Sequence, residues 1–459
     1  MASPECTKTL EMQNNRFGNL TIGIVGCNRV GVLHACLLAE AGFKVFCVDT
    51  DQAAIERISK GKTNFLKHEI EPLLRKNLET GKLKPLNDFK AVAAQSGVLV
   101  IAVPATVNKR NDADYSVIER VLKNLSSNMR RETLILIVST VGIGATEGFL
   151  KNVLENASGL KAGTGFYLAY SPVPFQERQT LKTLPSCKRI VAAIDKKSLD
   201  FASNILGSIT KSEIVKTLNL KAAEAAVLFE TVHRYTQRAL AREFAVFCDK
   251  TGVDYLAVQN LFSATVDSEL GRQTLFCESG CDECQLLLNE AENLNVKLRV
   301  STAALDVNEE FSRHALNLIR DVLKNCGKAL RRAKISILGV SQTPNAMDVP
   351  KSCIIKLEKD LSLKGAKITF YDPYFLGKPP SEMEKAIFKK SLAESVEGAD
   401  CIVIFTGHDQ FKRLNLRRIK LLTRMPTGFV DFEGVLDPSK VEAEGFIYRG
   451  FGRGVLKNE

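Results

Sequence analysis

The sequence predicts an α/β protein in which two Rossmann-like doubly wound domains are joined by a central helical region. Three observations support this. The stretch Thr21 to Asp51 reads as a buried strand, a glycine-rich turn, a helix and a second strand ending in acid. Strand and helix signals then alternate as far as Ala193, the pattern of a mostly parallel sheet covered on both faces. After a long helical stretch, a second α/β pattern opens at Lys334. The expected division is a flexible tail over residues 1–19, a first α/β domain over 20–215, a helical region over 216–328 and a second α/β domain over 329–459.

The first turn carries the most chemistry. In the pattern G-x-G-x-x-G, the first glycine makes the tight turn, the second lets backbone approach a pyrophosphate, and the third lets helix pack on strand. Those positions hold Gly26, Asn28 and Gly31, with Arg29 and Val30 between the last two. Asp49 ends the second strand, near the offset of about 20 residues at which a carboxylate reaches an adenine ribose hydroxyl. NAD is therefore the expected cofactor. Asn tolerates positive φ better than most residues, so the turn can form without its middle glycine. Its amide and Cβ are expected to crowd the phosphate oxygens and weaken binding. The alternative is a domain that keeps the shape and has lost the ligand.

Further strands are expected at Gly97 to Val103, Leu134 to Thr140, Phe166 to Ser171 and Arg189 to Ala193. From Leu220 to Thr251 the chain reads as one helix without proline, stopped at Gly252. Its apolar residues, including Ala226, Phe229, Ala239, Leu240, Phe244 and Phe247, suffice to bury more than one face. Such a helix joins two domains or two subunits, or is an ordinary core helix. The second α/β pattern runs from a strand at Lys334 through a helix at Ser352 to Leu363 and a strand ending at Asp372. Strands at Cys401 to Phe405 and Gly428 to Asp431 follow.

With 459 residues, 45% hydrophobic and 25% charged, the chain has the length for two or three domains and the composition of a soluble globular protein. No apolar run, Leu134 to Val138 included, comes near the length needed to span a bilayer, and no secretory signal is visible, so a cytoplasmic protein is expected. The 12 cysteines are scattered, as in a reducing compartment. Cys277, Cys281 and Cys284 cluster, but no histidine lies near enough in sequence to complete a metal site, so thiol chemistry is favoured over zinc. The net charge of +11 suits acidic nucleotide ligands. Without aromatic-rich motifs beside the basic residues, a nucleic-acid binder is the weakest reading.

The landmarks, in order, are STVGIGAT at Ser139 to Thr146, AEAAVLFETVHR at Ala223 to Arg234, TPNAMDVPKS at Thr343 to Ser352 and YDPY from Tyr371. GADCIVIFTGHDQF at Gly398 to Phe411, VDFEGVLDP from Val430 and GFIYRGFGRG at Gly445 to Gly454 complete them. The chain resembles the UDP-glucose/GDP-mannose dehydrogenase family, and within it the branch acting on UDP-N-acetylhexosamines. The resemblance implies an NAD domain, a central helical dimerisation region giving a homodimer or higher homo-oligomer, and a carboxy-terminal domain binding a UDP-sugar or related nucleotide. It further implies oxidation of a sugar 6-hydroxymethyl to a carboxylate with two NAD, through an aldehyde and a cysteine-bound thioester. Such chemistry needs a thiolate, a base and a donor or cation for developing oxyanions.

Carried over by the resemblance, Cys284 is the nucleophile and Thr231 and Glu177 join the catalytic set. Ala105, Ser139, Thr140 and Glu177 join Gly26, Asn28, Arg29, Val30, Gly31 and Asp49 around NAD. The family's lysine falls at Val227, its asparagine at Thr231, its acid after the cysteine at Leu288, and the first glutamate of its NPEFL segment at Val173. Two arginines that recognise the nucleotide sugar fall at Pro350 and Glu433. Acidic Asp282 and Glu283 precede the cysteine and oppose thiolate formation. A glutamate in place of an arginine exchanges attraction for repulsion beside a diphosphate. These substitutions set an active dehydrogenase against a catalytically silent relative that binds nucleotide or a partner subunit.

Overall fold

In the computed structural model of the protein, the described residues are 20–108, 112–173, 179–265, 281–345, 347, 350–375 and 379–453. The chain divides into two compact units. One is Met1–Val232 with Asp282–Leu298; the other is His233–Cys281 with Arg299–Glu459. The expected tail over 1–19 lies outside the described residues.

In the first unit an eight-stranded sheet comprises β1 (Thr21–Val25), β2 (Lys44–Val48), β3 (Leu83–Pro85), β4 (Val98–Ile101), β5 (Leu134–Ile137), β6 (Tyr167–Tyr170), β7 (Arg189–Ala193) and β8 (Ile214–Thr217). Their spatial order is β8-β7-β6-β5-β4-β1-β2-β3. Neighbours run parallel except β6 and β7. The central sequences TIGIV, VLVI and LILI are continuous apolar runs because both faces of a parallel sheet are covered. In register, Ile22 of β1 lies between Val45 and Val98. The chain leaves β1 through helix α1 (Arg29–Glu40) toward β2, while β4 pairs on the other side. That reversal opens a crevice at the carboxyl ends of β1 and β4.

Helix α2 (Leu220–Thr251) spans the expected stretch, but its burial differs from expectation. Ala223, Glu224, Val227, Leu228, Thr231, Val232, Tyr235, Arg238, Ala239, Arg242, Ala245 and Cys248 are all buried, a broad stripe that includes the expected Ala239. Ala226 is exposed, as are Phe229, Leu240, Phe244 and Phe247, at 56%, 40%, 44% and 67%. Those four large side chains lie outside the buried stripe. Helix α3 (Cys281–Asn293) sends Leu286 into the first unit's core with Leu220, Ala223 and Leu228.

The second unit carries a five-stranded sheet of β9 (Lys334–Leu338), β10 (Lys367–Tyr371), β11 (Cys401–Ile404), β12 (Gly428–Asp431) and β13 (Ile447–Gly450). Its order is β10-β9-β11-β12-β13, all parallel. Helix α4 (Arg299–Asn325) contributes Ile319, Val322 and Leu323 to a core shared with Ile335, Val403 and Val430. Helix α5 (Ser352–Leu363) links β9 to β10. The second reversal of strand order falls between β9 and β11, the place where open α/β sheets receive ligands at their carboxyl ends. Among the described residues no helix is long and apolar enough to cross a membrane.

Candidate active site

The turn after β1 has the geometry of a dinucleotide site at its two glycine positions. Gly26 sits at φ +101, and a Cβ there would lie 3.1 Å from the Ala102 backbone. At Gly31 a Cβ would stand 1.8 Å from the Gly26 carbonyl oxygen, so only glycine lets α1 pack this close to the turn.

Asn28 behaves otherwise than the sequence suggested. Its backbone is extended, φ −73 and ψ −178, so no positive φ is needed at the middle position. Its side chain accepts the Gly31 N–H at 3.0 Å and donates to the Ala102 carbonyl at 2.6 Å. The amide is thus bonded back into the turn as the cap of α1 and does not project over the helix end as a free obstacle.

Asp49 is half-buried just beyond β2. One oxygen accepts the Cys27 N–H at 2.5 Å and the other the Asp51 N–H at 2.8 Å. Ala105 follows β4, and Ser139 and Thr140 follow β5; all three are buried at the carboxyl end of the sheet. The Ser139 hydroxyl donates to the Ile101 carbonyl. Arg29 begins α1, its guanidinium 6.0 Å from the Phe65 ring centre.

Sequence reasoning passed over two buried groups in this unit. Glu224, at the start of α2, accepts the N–H groups of Gly144 and Thr146 and so ties down the loop after β5. Burial raises its carboxyl above the usual range, against the pull of those donors. The second is Arg189, fully buried at the start of β7 without a carboxylate partner among the described residues. It approaches the His34 Nε2 at 3.3 Å and the Ser171 hydroxyl at 3.3 Å. His34 Nδ1 lies 2.7 Å from the Val30 carbonyl, which makes Nδ1 the donor and Nε2 the acceptor. Burial first, then the Arg189 charge, lowers the His34 pKa from 6.5 to about 3. Burial also lowers the Arg189 pKa to about 10.

In the second unit Asp372, just past β10, is buried and accepts the N–H groups of Val340 at 2.9 Å, Ser341 at 3.2 Å and Tyr374 at 2.9 Å. His408 Nδ1 accepts the Asn345 N–H at 2.8 Å, leaving Nε2 to donate to Asp372 at 3.1 Å. Burial pushes the Asp372 carboxyl up, but His408 and the backbone donors more than offset it, leaving it below the ordinary value. At the reversal between β9 and β11, the buried Lys351 donates to the Phe405 carbonyl at 2.9 Å and to Glu433 at 2.7 Å.

Two descriptions match the two units in order. Residues 20–209 match the NAD binding domain of the UDP-glucose/GDP-mannose dehydrogenase family, and residues 336–438 match its UDP binding domain. The chain belongs to that family. It is a nucleotide-sugar dehydrogenase family member with an NAD-binding domain and a UDP-binding domain. Among curated relatives, it is 28% identical to UDP-N-acetyl-D-mannosamine dehydrogenase of Pyrococcus horikoshii, over 95% of this chain and all of that one. It is 23% identical to UDP-glucose 6-dehydrogenase TuaD of Bacillus subtilis, over 95% and 94%. Among solved structures, the UDP-D-ManNAc dehydrogenase of Pyrococcus horikoshii superposes with TM-score 0.83 at 27% identity, covering 95% of this chain and 99% of that one. A UDP-glucose dehydrogenase from Pyrobaculum islandicum, 22% identical, shares the fold at TM-score 0.82, covering 94% and 98%.

The described positions that the family resemblance singled out for catalysis or substrate recognition are mostly buried. Cys284 lies on α3, 2% exposed, between the chain neighbours Glu283 and Gln285 and close in sequence to buried Leu286 and Leu287. Thr231 is buried on α2, and Val227 is buried one turn before it. Leu288 is half-buried on α3, and Val173 is buried beyond β6. Pro350 is buried and forms a bridge with Ser341. Glu177 and Cys277 lie outside the described residues, and among the described residues no cluster of three His, Cys, Asp or Glu is placed to hold a metal ion.

Glu433 is not the lone charge that the sequence suggested. Its carboxylate is matched by the Lys351 ammonium, so the position carries an internally balanced pair.

Proposed function

We propose that this chain is a slow NAD-dependent dehydrogenase of a UDP-linked sugar, with UDP-N-acetylhexosamines as the substrate class. The turn at Gly26 to Gly31 carries the reading, because positive φ and a closed helix–strand contact survive where a mere relic would be free to fill in. Gly26, Asn28, Arg29, Val30 and Gly31 form the cradle, the first-turn N–H groups of α1 face the pyrophosphate, and Asp49 keeps unused acceptor capacity for a ribose hydroxyl. Ala105, Ser139 and Thr140 border the same end of the sheet. NAD supplies the hydride acceptor for each oxidation.

In this reading the Cys284 thiolate adds to the sugar aldehyde, the Thr231 hydroxyl donates to the developing oxyanion, and Glu177 takes a proton. Val227 supplies no cation and Leu288 accepts no proton. A lost base costs about 10²–10⁴ in rate and a lost oxyanion donor about 10²–10³, and the losses do not simply multiply. The substrate class follows the relative named for UDP-N-acetyl-D-mannosamine. The exposed stripe of Leu240, Phe244 and Phe247 supports a homo-oligomer, in which a second copy covers it. A cytoplasmic location agrees with the scattered cysteines.

The purified chain is incubated with NAD and a panel of UDP-hexoses and UDP-N-acetylhexosamines, and NADH formation is followed. Slow turnover lost in Cys284→Ser supports the proposal. Buried Val227 and half-buried Leu288 support a second reading, a silent relative that binds its nucleotides. Binding of NAD and a UDP-sugar by calorimetry, with no Cys284-dependent turnover, would select that one.

A further inference from the structure

Lys351 is 2% exposed, yet its ammonium stands at the reversal of strand order in the second unit, the place where open α/β domains receive ligands. Three elements converge there. Lys351 itself caps α5, its backbone N–H donates to the Val340 carbonyl beyond β9, and its Nζ reaches the Phe405 carbonyl beyond β11 and the Glu433 carboxylate beyond β12. The Phe405 ring lies 5.6 Å from the ammonium. Glu433 is held in turn by its own N–H, which donates to the buried Asp431 carboxylate at 3.1 Å.

An ammonium has three donors, and two are used inside the protein. The charge is used as well. A phosphate brought to the remaining donor would meet the Glu433 carboxylate at the same approach, and two like charges a few ångströms apart largely cancel what Lys351 offers. A neutral hydrogen-bonding group meets no such conflict, since a carboxylate accepts N–H and O–H donors.

We infer that Glu433 is the specificity-determining residue of the UDP-binding domain: by holding Lys351 in an internal ion pair, it makes the crevice read the nucleoside part of its ligand and draw little from the diphosphate. This rests on the UDP-sugar reading above. It departs from a phosphate site built on free cations, in which each phosphate adds strong charge-assisted bonds. The arrangement is also self-limiting, because the carboxylate keeps a buried ammonium neutralised when no ligand is present.

The test compares UDP with uridine by calorimetry on the full-length protein. In the unmodified chain the two bind with affinities within about threefold of each other, and the ratio hardly changes between about 0.05 M and about 0.5 M salt. In Glu433→Gln, which keeps an acceptor for Lys351 and removes the charge, the preference for UDP over uridine rises about tenfold or more and becomes salt-sensitive. Adding Lys351→Met to that variant abolishes the gain. Should Glu433→Gln fail to fold, Glu433→Asp retains the counter-charge, withdraws it by one methylene, and gives a smaller gain in the same direction.

A UDP preference that stays unchanged in the substituted proteins, or one already large in the unmodified chain, overturns the inference while leaving the UDP-sugar reading intact. Failure of both UDP and uridine to bind any of the proteins overturns both.

Discussion

Replacing His34 by Gln removes a buried titration from the first unit, and its effect can be calculated. The ring is completely buried, and its pKa falls from 6.5 to about 3 through desolvation and the neighbouring Arg189 charge. In the unfolded chain the imidazole takes up a proton as pH falls through about 6.5; in the folded protein it stays neutral until about 3. Stability from this group is therefore fully present above about pH 6.5 and lost progressively as pH falls toward 3. At about 1.4 kcal/mol per pH unit, the loss reaches about 2 kcal/mol at pH 5 and about 4 kcal/mol at pH 3. Gln keeps an acceptor for Arg189 and does not titrate. Urea unfolding of the first unit between pH 4.5 and 7, followed in both proteins, gives the difference free of the carboxylates common to both. A steeper pH slope in the unmodified chain, converging on the variant near neutrality, is expected; parallel slopes would refute the assignment of a neutral, buried His34.

Other outcomes follow from the same contacts. Gly31→Ala places a methyl 1.8 Å from the Gly26 carbonyl, so α1 must move off the turn, and NAD binding measured by calorimetry should fall by at least about a hundredfold. Installing Val227→Lys, Thr231→Asn and Leu288→Asp together restores a cation, an amide and a base, and NADH production with a UDP-sugar should rise about 10²–10³-fold, reversed by Cys284→Ser. If a second copy covers the exposed stripe of α2, as proposed, Phe244→Glu with Phe247→Glu should lower the mass measured by light scattering.

The sheets were legible because their strands are locally redundant. VLVI and LILI can hardly be anything except buried parallel strands, and Gly26 and Gly31 announce a turn whose backbone needs them. In the second unit, the expected strands at Lys334, Cys401 and Gly428 and the helix at Ser352 fall where the structure has them. β3 and β8, LKP and IVKT, are largely uncovered and carry no continuous apolar run by which to be recognised. Asn28 was misjudged for a different reason. Residue type suggested a positive φ, but the capping bonds to Gly31 and Ala102 decide its backbone, and one of those partners lies 74 residues away.

Family membership and the dinucleotide turn were thus set by the sequence alone, since each depends on residues close together along the chain. What only tertiary structure decided is how charges and faces are matched across it. His34 meets Arg189 across 155 residues, and Lys351 meets Glu433 across 82. Phe229, Phe244 and Phe247 of α2 stay exposed while Val227, Leu228, Val232 and Tyr235 take the inward stripe. Pairings of that kind depend on which strands end side by side, and local propensity carries no information about them. A glutamate that looked like a repelling charge in one dimension is, in three, the partner of a buried lysine.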